Sequence, residues 1–125
     1  MKNKVTHFEI PANNLEQAQN FYGEVFGWEF NPWDENYIMV TATDVDDMGA
    51  PTEPGSINGG LQKRGSRALA PTIVISVEDI DKTLAKIEEL GGKAIISKEL
   101  IGDMCSYAQF EDLEGNRIGL FEVDM

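Results

Sequence analysis

Two separate stretches of the chain, one in each half, have the apolar pattern of a β-strand. Val5–Ile10 alternates between apolar and polar residues in the first half, and Thr72–Val77 is rich in β-branched apolar residues in the second. Alternation that includes β-branched residues predicts a strand, and apolar residues spaced three and four apart predict an amphipathic helix. In both halves the pattern then predicts one helix followed by three further strands. The order strand, helix, three strands therefore occurs twice, which predicts an α+β fold built by duplication.

The first helix is predicted to begin after Asn13 or Asn14, either of which can cap it, and to end at Gly27. Its apolar side chains recur at helical spacing, so we expect them to form a single buried stripe. The stripe comprises Leu15, Ala18, Phe21, Tyr22, Val25 and Phe26. The strands that follow are predicted around Trp28–Phe30, Tyr37–Thr41 and Ser56–Lys63. Two adjacent glycines in the last of these, Gly59 and Gly60, predict a bulge or the close approach of another group.

The second helix is predicted to begin at Glu78-Asp79, where acidic residues meet the positive end of the helix dipole. Gly91 ends it. We expect its buried stripe to consist of Ile80, Leu84, Ile87 and Leu90. Three strands are then predicted over Lys93–Ser97, Ser106–Phe110 and Arg117–Val123, the last two joined by a hairpin turn at Asp112–Asn116.

Composition narrows the classes of function. The chain has 125 residues, 22 of them acidic and 10 basic, for a formal net charge of −12. Such a charge repels phosphate groups, so we expect no nucleic-acid partner and no anionic membrane partner. No apolar run reaches the ~20 residues that a membrane span needs, and no apolar stretch follows the basic residues at the start, as a secretory signal would require. Cys105 is the only cysteine. We therefore expect a cytoplasmic protein without an internal disulfide.

Four motifs together resemble one family over nearly the entire chain. They are His7-Phe8-Glu9-Ile10-Pro11, Phe21-Tyr22-x-x-Val25-Phe26-Gly27-Trp28, Ile57-Asn58-Gly59-Gly60-Leu61 and Asp112-Leu113-Glu114-Gly115-Asn116. They resemble the vicinal oxygen chelate superfamily, which includes glyoxalases, bleomycin-resistance proteins and extradiol dioxygenases. Within it, the chain is most similar to small proteins described as related to lactoylglutathione lyase. The resemblance implies one glyoxalase-like domain over residues 1–125, with two tandem βαβββ modules, about 1–65 and about 70–125. It also implies that their curled mixed sheet surrounds a cavity and that the protein is a homodimer.

In metal-dependent members of this superfamily, a divalent ion is held by histidines and carboxylates on four strands. The resemblance puts His7 at the first-strand ligand position, Thr72 at the matching position of the second module, and Gly119 at the closing-strand position. Glu122 is three residues further on and has the opposite side-chain direction. The remaining position falls between Asn58 and Gln62, where no carboxylate is present.

His7 is also the only histidine in the chain. One chain therefore assembles neither a site of two histidines and one carboxylate nor a site of three histidines. We predict no metal ligands and no cofactor, with an atypical divalent metal site at His7 as the alternative.

His7 and Glu9 are the candidate catalytic residues. An imidazole with an ordinary pKa near ~6.5 exchanges protons at neutral pH. Glu9 follows two residues later on the same strand and so shares a face with His7. The alternatives are structural: His7 as a half-buried, hydrogen-bonded imidazole without a catalytic role, and Glu9 as a strand residue that faces water.

The candidate substrate-binding residues follow from alternation and polarity. Positions that alternate with helix-facing residues point to the other side of the sheet, and polar strand residues there can bind a ligand. For the aromatic residues and Met39 the alternative is a role in the core. The candidates are Tyr37, Met39, Asn58, Gln62, Thr72, Tyr107 and Phe121.

Three functions fit this pattern. The first is a protein that binds a small organic molecule without the usual metal site. The second is a metal-dependent lyase or isomerase of glyoxalase type, or an oxygenase, with an atypical site at His7. The third is a resistance protein that sequesters a drug and performs no chemistry. The sequence leaves open whether any reaction is catalysed.

Overall fold

The computed structural model describes residues 2–101 and 105–123. Over these residues two helices are interspersed among eight strands, so the predicted α+β class is confirmed. In chain order the elements are β1 (Lys4–Ala12), α1 (Leu15–Phe26), β2 (Glu29–Asp34), β3 (Tyr37–Thr41), β4 (Asn58–Lys63), β5 (Thr72–Ser76), α2 (Ile80–Glu89), β6 (Lys93–Ile101), β7 (Cys105–Glu111) and β8 (Arg117–Val123).

The chain divides into two compact units. One is residues 7–71, and the other comprises the described residues of 1–6 and 72–125. We call them module one and module two. The strand order is β2-β3-β4-β1 in module one, which contains β1 from His7 onward, and β5-β8-β7-β6 in module two. In each module the last strand runs parallel to the first, and the other pairs are antiparallel. The two βαβββ modules predicted from the sequence are therefore confirmed.

Helix α1 has the ends that its sequence predicts. The Asn14 side-chain oxygen accepts a hydrogen bond from the backbone N–H of Gln17 at 2.9 Å, which satisfies one of the otherwise unpaired amides of the first turn. Gly27 follows the last turn with a φ of 72°, and its N–H donates to the Gly23 carbonyl at 2.9 Å. Glycine adopts this left-handed conformation without steric cost, so the helix stops there.

The core of module one is smaller than the apolar stripe of α1 predicts. Buried Ile38, Val40 and Leu61 pack against the partly buried helix residues Leu15, Ala18 and Tyr22. Tyr22 in turn stacks on Trp28, with ring centroids 5.3 Å apart. The predicted burial of the whole stripe is wrong, because three of its members are exposed: Phe21, Val25 and Phe26.

The width of the stripe explains this error. Successive residues of an α-helix are rotated by about 100°, so Phe21 lies about 100° from Tyr22, which faces the sheet. The rings of Phe21 and Tyr22 meet edge to face with centroids 5.3 Å apart. Phe21 therefore packs on the side of Tyr22 and keeps 59% of its surface exposed.

In module two the helix is anchored more firmly. Ile80 and Leu84 of α2 are buried among Val77, Ala108 and Leu120. Leu90 is exposed and caps the helix, so the predicted stripe is wrong at this last position. At the start of α2, Asp79 accepts a hydrogen bond from the Lys82 amide at 3.0 Å.

Glu122 of β8 also binds the beginning of α2. One of its carboxylate oxygens accepts the N–H of Ile80 at 2.6 Å, and the other accepts from the Lys98 ammonium at 2.9 Å. The side chain is buried on the helix side of the sheet. A carboxylate at the positive end of a helix satisfies an amide and interacts favourably with the dipole.

Among the described residues, no helix is long and apolar enough to cross a membrane.

We predict that Leu84→Ala lowers the free energy of unfolding by about 2–5 kcal/mol, because the side chain is 7% exposed and its removal leaves a cavity. Phe21→Ala should cost less than about 1 kcal/mol, since most of that ring is in contact with solvent. Urea denaturation of the two variants measures both values. Equal losses would contradict the core assignment.

We predict that Glu122→Gln destabilises the protein by about 2–3 kcal/mol, because the change removes a buried charge that holds both a helix amide and Lys98. Glu114→Gln in the exposed hairpin turn is the matched control and should stay within about 0.5 kcal/mol of wild type. Thermal and urea unfolding test this pair, and an unchanged Glu122→Gln protein would rule out a stabilising role for the carboxylate.

Candidate functional site

Module one has a sheet face that does not contact its own helix. Ile38, Val40 and Leu61 point towards α1, so residues that alternate with them point to the opposite side. We call this side the helix-free face of module one. It carries six of the predicted site residues and one glycine: His7, Glu9, Tyr37, Met39, Asn58, Gln62 and Gly60. Strand pairing brings them together, with His7 beside Asn58, Glu9 beside Gly60, and Tyr37 beside Gln62.

Glu9 and Tyr37 make a direct contact on this face. The Tyr37 hydroxyl donates a hydrogen bond to a carboxylate oxygen of Glu9 at 3.2 Å. Glu9 is only 9% exposed, so the alternative of a water-facing glutamate is wrong. The residue between them, Gly60, has no side chain to separate the two groups. The phenol and the carboxylate therefore form a pair whose geometry is set by three adjacent strands.

His7 lies two residues before Glu9 on β1. Burial lowers the pKa of its imidazole below the ordinary value, because the charged form loses its hydration. Its Nδ1 atom is buried. At neutral pH the side chain is therefore an uncharged imidazole, which donates a hydrogen bond from one ring nitrogen and accepts at the other.

The remaining candidates of this face differ in what they contact. Asn58 uses its side-chain oxygen to accept the N–H groups of Ala42 at 2.7 Å and Thr43 at 3.0 Å, which holds the chain where it leaves β3. Met39 pairs with Gly60 and is 43% exposed. Asn58 thus has a structural contact that the sequence did not predict, whereas Met39 offers an accessible apolar surface.

Three predicted site residues belong to module two instead. Thr72, Tyr107 and Phe121 lie on the side of its sheet that faces away from α2, where Tyr107 pairs with Phe121. Thr72 and Tyr107 are buried.

Three residues of the same strands were missed by the sequence analysis. Gln109 donates to the Tyr107 hydroxyl at 3.3 Å and accepts from Arg117 at 3.5 Å, and Arg117 lies 3.9 Å from a Glu111 carboxylate oxygen. The signal for Gln109 was present, since it follows Tyr107 by two residues and so shares its face.

The donor atoms of these faces do not fit a divalent metal centre. Within residues 2–101 and 105–123, no three His, Cys, Asp or Glu side chains are grouped closely enough to share an ion. His7 and Glu9 provide one imidazole and one carboxylate on the helix-free face of module one. Thr72 and Gly119 provide neither at the positions where the resemblance implies ligands. A stable transition-metal site in proteins usually takes three or four such donors.

Comparison with known sequences gives two partial matches. A family model for the N-terminal region of bleomycin-resistance-like proteins matches residues 4–42. A protein of Didymella fabae described as containing a glyoxylase-like domain is 29% identical over 118 residues, which is 90% of this chain and 88% of that protein. Residues 4–42 include His7 and Glu9, and the second match covers parts of both modules.

Comparison with solved structures covers almost the whole chain. Methylmalonyl-CoA epimerase from Mycobacterium tuberculosis matches 97% of this chain and 88% of its own, with 15% identity and a TM-score of 0.69. Homoprotocatechuate 2,3-dioxygenase from Brevibacterium fuscum, in complex with 3,4-dihydroxyphenylacetate, matches 98% of this chain and 37% of its own, with 20% identity and a TM-score of 0.69. Together with the sequence matches, they confirm the resemblance predicted from the four motifs: the chain has the fold of the vicinal oxygen chelate superfamily.

Proposed function

We propose that this protein binds a small organic molecule on the helix-free face of module one without the help of a divalent metal ion. The observation that carries the proposal is the buried Glu9 carboxylate, held by the Tyr37 hydroxyl on the same face as an uncharged His7. Polar groups that are fixed in place and shielded from water give a binding site its orientation and specificity. The donor set argues against the alternative of a metal-dependent lyase or oxygenase.

The chemistry of the face indicates what kind of molecule fits. The Glu9 carboxylate accepts hydrogen bonds, while the His7 imidazole and the Gln62 amide both donate and accept. Met39 adds an exposed apolar surface beside them. A ligand carboxylate brought against Glu9 would place two carboxyl groups together in a buried setting, which disfavours their joint ionisation. We therefore propose a neutral or cationic ligand with a hydrogen-bond donor at one end and an apolar body.

A second candidate function is the sequestration of a toxic compound. The match of residues 4–42 to the bleomycin-resistance-like model favours it, because that range contains β1 and β3 with Glu9 and Tyr37. Sequestration needs the same binding face and no chemical step. The cytoplasm is the proposed compartment for either function, which the single cysteine supports.

We predict that Glu9→Gln and His7→Ala each weaken ligand binding by about 1–3 kcal/mol, the contribution of one buried hydrogen-bond partner. Binding is detected by thermal-shift screening of EDTA-treated protein against a panel of small metabolites and bleomycin. Glu16→Gln on the exposed surface of α1 is the matched control and should leave binding unchanged. A hit on bleomycin without turnover favours sequestration.

The binding proposal fails if no compound raises the melting temperature of the metal-free wild type. It also fails if hits require added metal ions, or if Glu9→Gln behaves like Glu16→Gln. The melting curve of each variant without ligand is recorded on the same protein preparation. It shows whether the variant is folded, so that a loss of binding is not confused with a loss of folding.

We also predict a pH dependence of stability that belongs to His7, the only histidine of the chain. Because burial lowers its pKa in the folded state, the unfolded chain binds a proton more readily. The free energy of unfolding should therefore be constant above pH ~6.5 and fall as the pH drops from there towards the lowered pKa. Urea denaturation between pH 7.5 and 5.5 measures this decline, which His7→Gln should abolish.

We propose further that the protein is a homodimer that uses the outer face of α1, formed by Phe21, Val25 and Phe26. All three are more than half exposed, and contiguous exposed apolar side chains mark contact surfaces. Two copies each carry a net charge of −12, so their repulsion should weaken as salt screens it.

We expect wild type to sediment as a dimer at micromolar concentration, more completely at high salt than at low salt. Phe21→Gln with Phe26→Gln should yield a folded monomer, because both rings lie in the proposed contact. Leu113→Gln, at an exposed leucine of the hairpin turn, is the control and should stay dimeric. A monomeric wild type, or a dimer that survives the double change, would contradict this interface.

A further inference from the structure

The two modules share a detail that the sequence repeat does not reveal. In each module, a tyrosine of the third strand (β3 or β7) lies diagonally opposite a glycine of the fourth strand (β4 or β8). In module one Met39 pairs with Gly60, and Tyr37 precedes Met39 by two residues. In module two Gln109 pairs with Gly119, and Tyr107 precedes Gln109 by two residues. Residues two apart share a face, so both tyrosines point to the face of the glycine.

In module one the phenol occupies the space of the missing side chain. A Cβ atom on Gly60 would collide with the hydroxyl and the ring of Tyr37. The same hydroxyl donates to Glu9, the residue paired with Gly60 on β1. Any side chain at position 60 would therefore displace the ring and break the contact with Glu9.

In module two the second tyrosine has the same relation to its glycine. A Cβ on Gly119 would lie 3.1 Å from both the Cε1 atom and the hydroxyl oxygen of Tyr107. It would also lie 3.0 Å from a methyl group of Val74, the residue paired with Gly119 on β5. These distances are too short for a larger side chain to fit without moving the ring, since packed carbon atoms prefer about 3.5–4.0 Å.

We propose that Tyr37 and Tyr107 each fill, in their own module, the space from which a metal-ligating side chain would project, and that Tyr37 thereby determines which ligands the helix-free face of module one accepts. The inference deepens the proposed function and rests on it in one respect, namely that the ligand of module one uses this face. Gly119 is an implied ligand position, and Gly60 is its counterpart on β4. A ligand on the helix-free face of module one thus meets a phenol and the Glu9 carboxylate, at the place where the resemblance implies a metal ion in metal-dependent members of the superfamily.

Metal titration tests this inference without any organic ligand. The double change Tyr37→Ala with Gly60→Glu removes the ring and adds a carboxylate beside His7 and Glu9. We expect it to bind Zn²⁺ or Mn²⁺ at least about tenfold more tightly than wild type in calorimetric titration, because a third charged or imidazole donor completes a ligand set. Tyr37→Ala with Gly60→Gln is the matched control and should show no such gain.

If the double variants fold poorly, a second measurement still tests the inference. Gly60→Ala should lower the melting temperature of wild type by several degrees and have a smaller effect in a Tyr37→Ala background, because the added methyl group then has room. Gly65→Ala, where a Cβ meets nothing within 4 Å, is the control.

The inference is overturned if wild type binds Zn²⁺ or Mn²⁺ as tightly as the Glu variant, if the Gln variant gains equally, or if Gly60→Ala costs the same in both backgrounds. None of these results depends on finding the organic ligand. A failed ligand screen with a positive metal gain would refute the proposed function alone.

Discussion

The last strand of each module contains a glycine, Gly60 in β4 and Gly119 in β8. The absence of its side chain is the constraint on which the helix-free face of that module depends. Because Gly60 and Gly119 have no Cβ, a phenol ring can approach the backbone closely at that point. The ring fixes the position of its hydroxyl, and in module one that hydroxyl holds the Glu9 carboxylate. A buried polar group is tolerated only when its hydrogen bonds are satisfied, so the pair and the glycine must be present together. The packing of one glycine therefore decides which chemical groups the face presents.

Much of the fold could be predicted from the sequence because its signals are local. The β-branched apolar run in Thr72–Val77, the cap at Asn14 and the helix end at Gly27 are each specified within a few residues. The exposure of Phe21 could not be predicted in the same way. Helical spacing shows that a residue belongs to an apolar stripe, but the width of the sheet beneath the helix decides how much of that stripe is covered. The sheet of module one covers Tyr22 and leaves Phe21 in solvent.

The candidate site shows the same division between local and non-local information. That His7 and Glu9 share a face follows from their separation by two residues. The hydrogen bond from Tyr37 to Glu9 joins residues 28 apart, and it depends on the register of three strands, which no short motif specifies. Gln109 and Arg117 were missed for a different reason. The hydrogen bond from Arg117 to Gln109 needs the pairing of β7 with β8, and polar residues near a hairpin turn are ordinarily solvent-exposed.

The two candidate groups on β1 offer a ligand different contacts. Burial removes hydration from His7 and so favours the neutral imidazole, which neither attracts nor repels a charged ligand. Glu9 is an acceptor whose contact with a phenol leaves its role as acceptor intact. The polarity of the face is thus set by a carboxyl group, within a chain whose formal net charge is −12. Long-range and short-range electrostatics then act in the same direction, since both disfavour anionic molecules and favour neutral or cationic donors. Under the proposed function, a ligand that a metal centre would recognise by its oxygen anions is the kind that this face would disfavour.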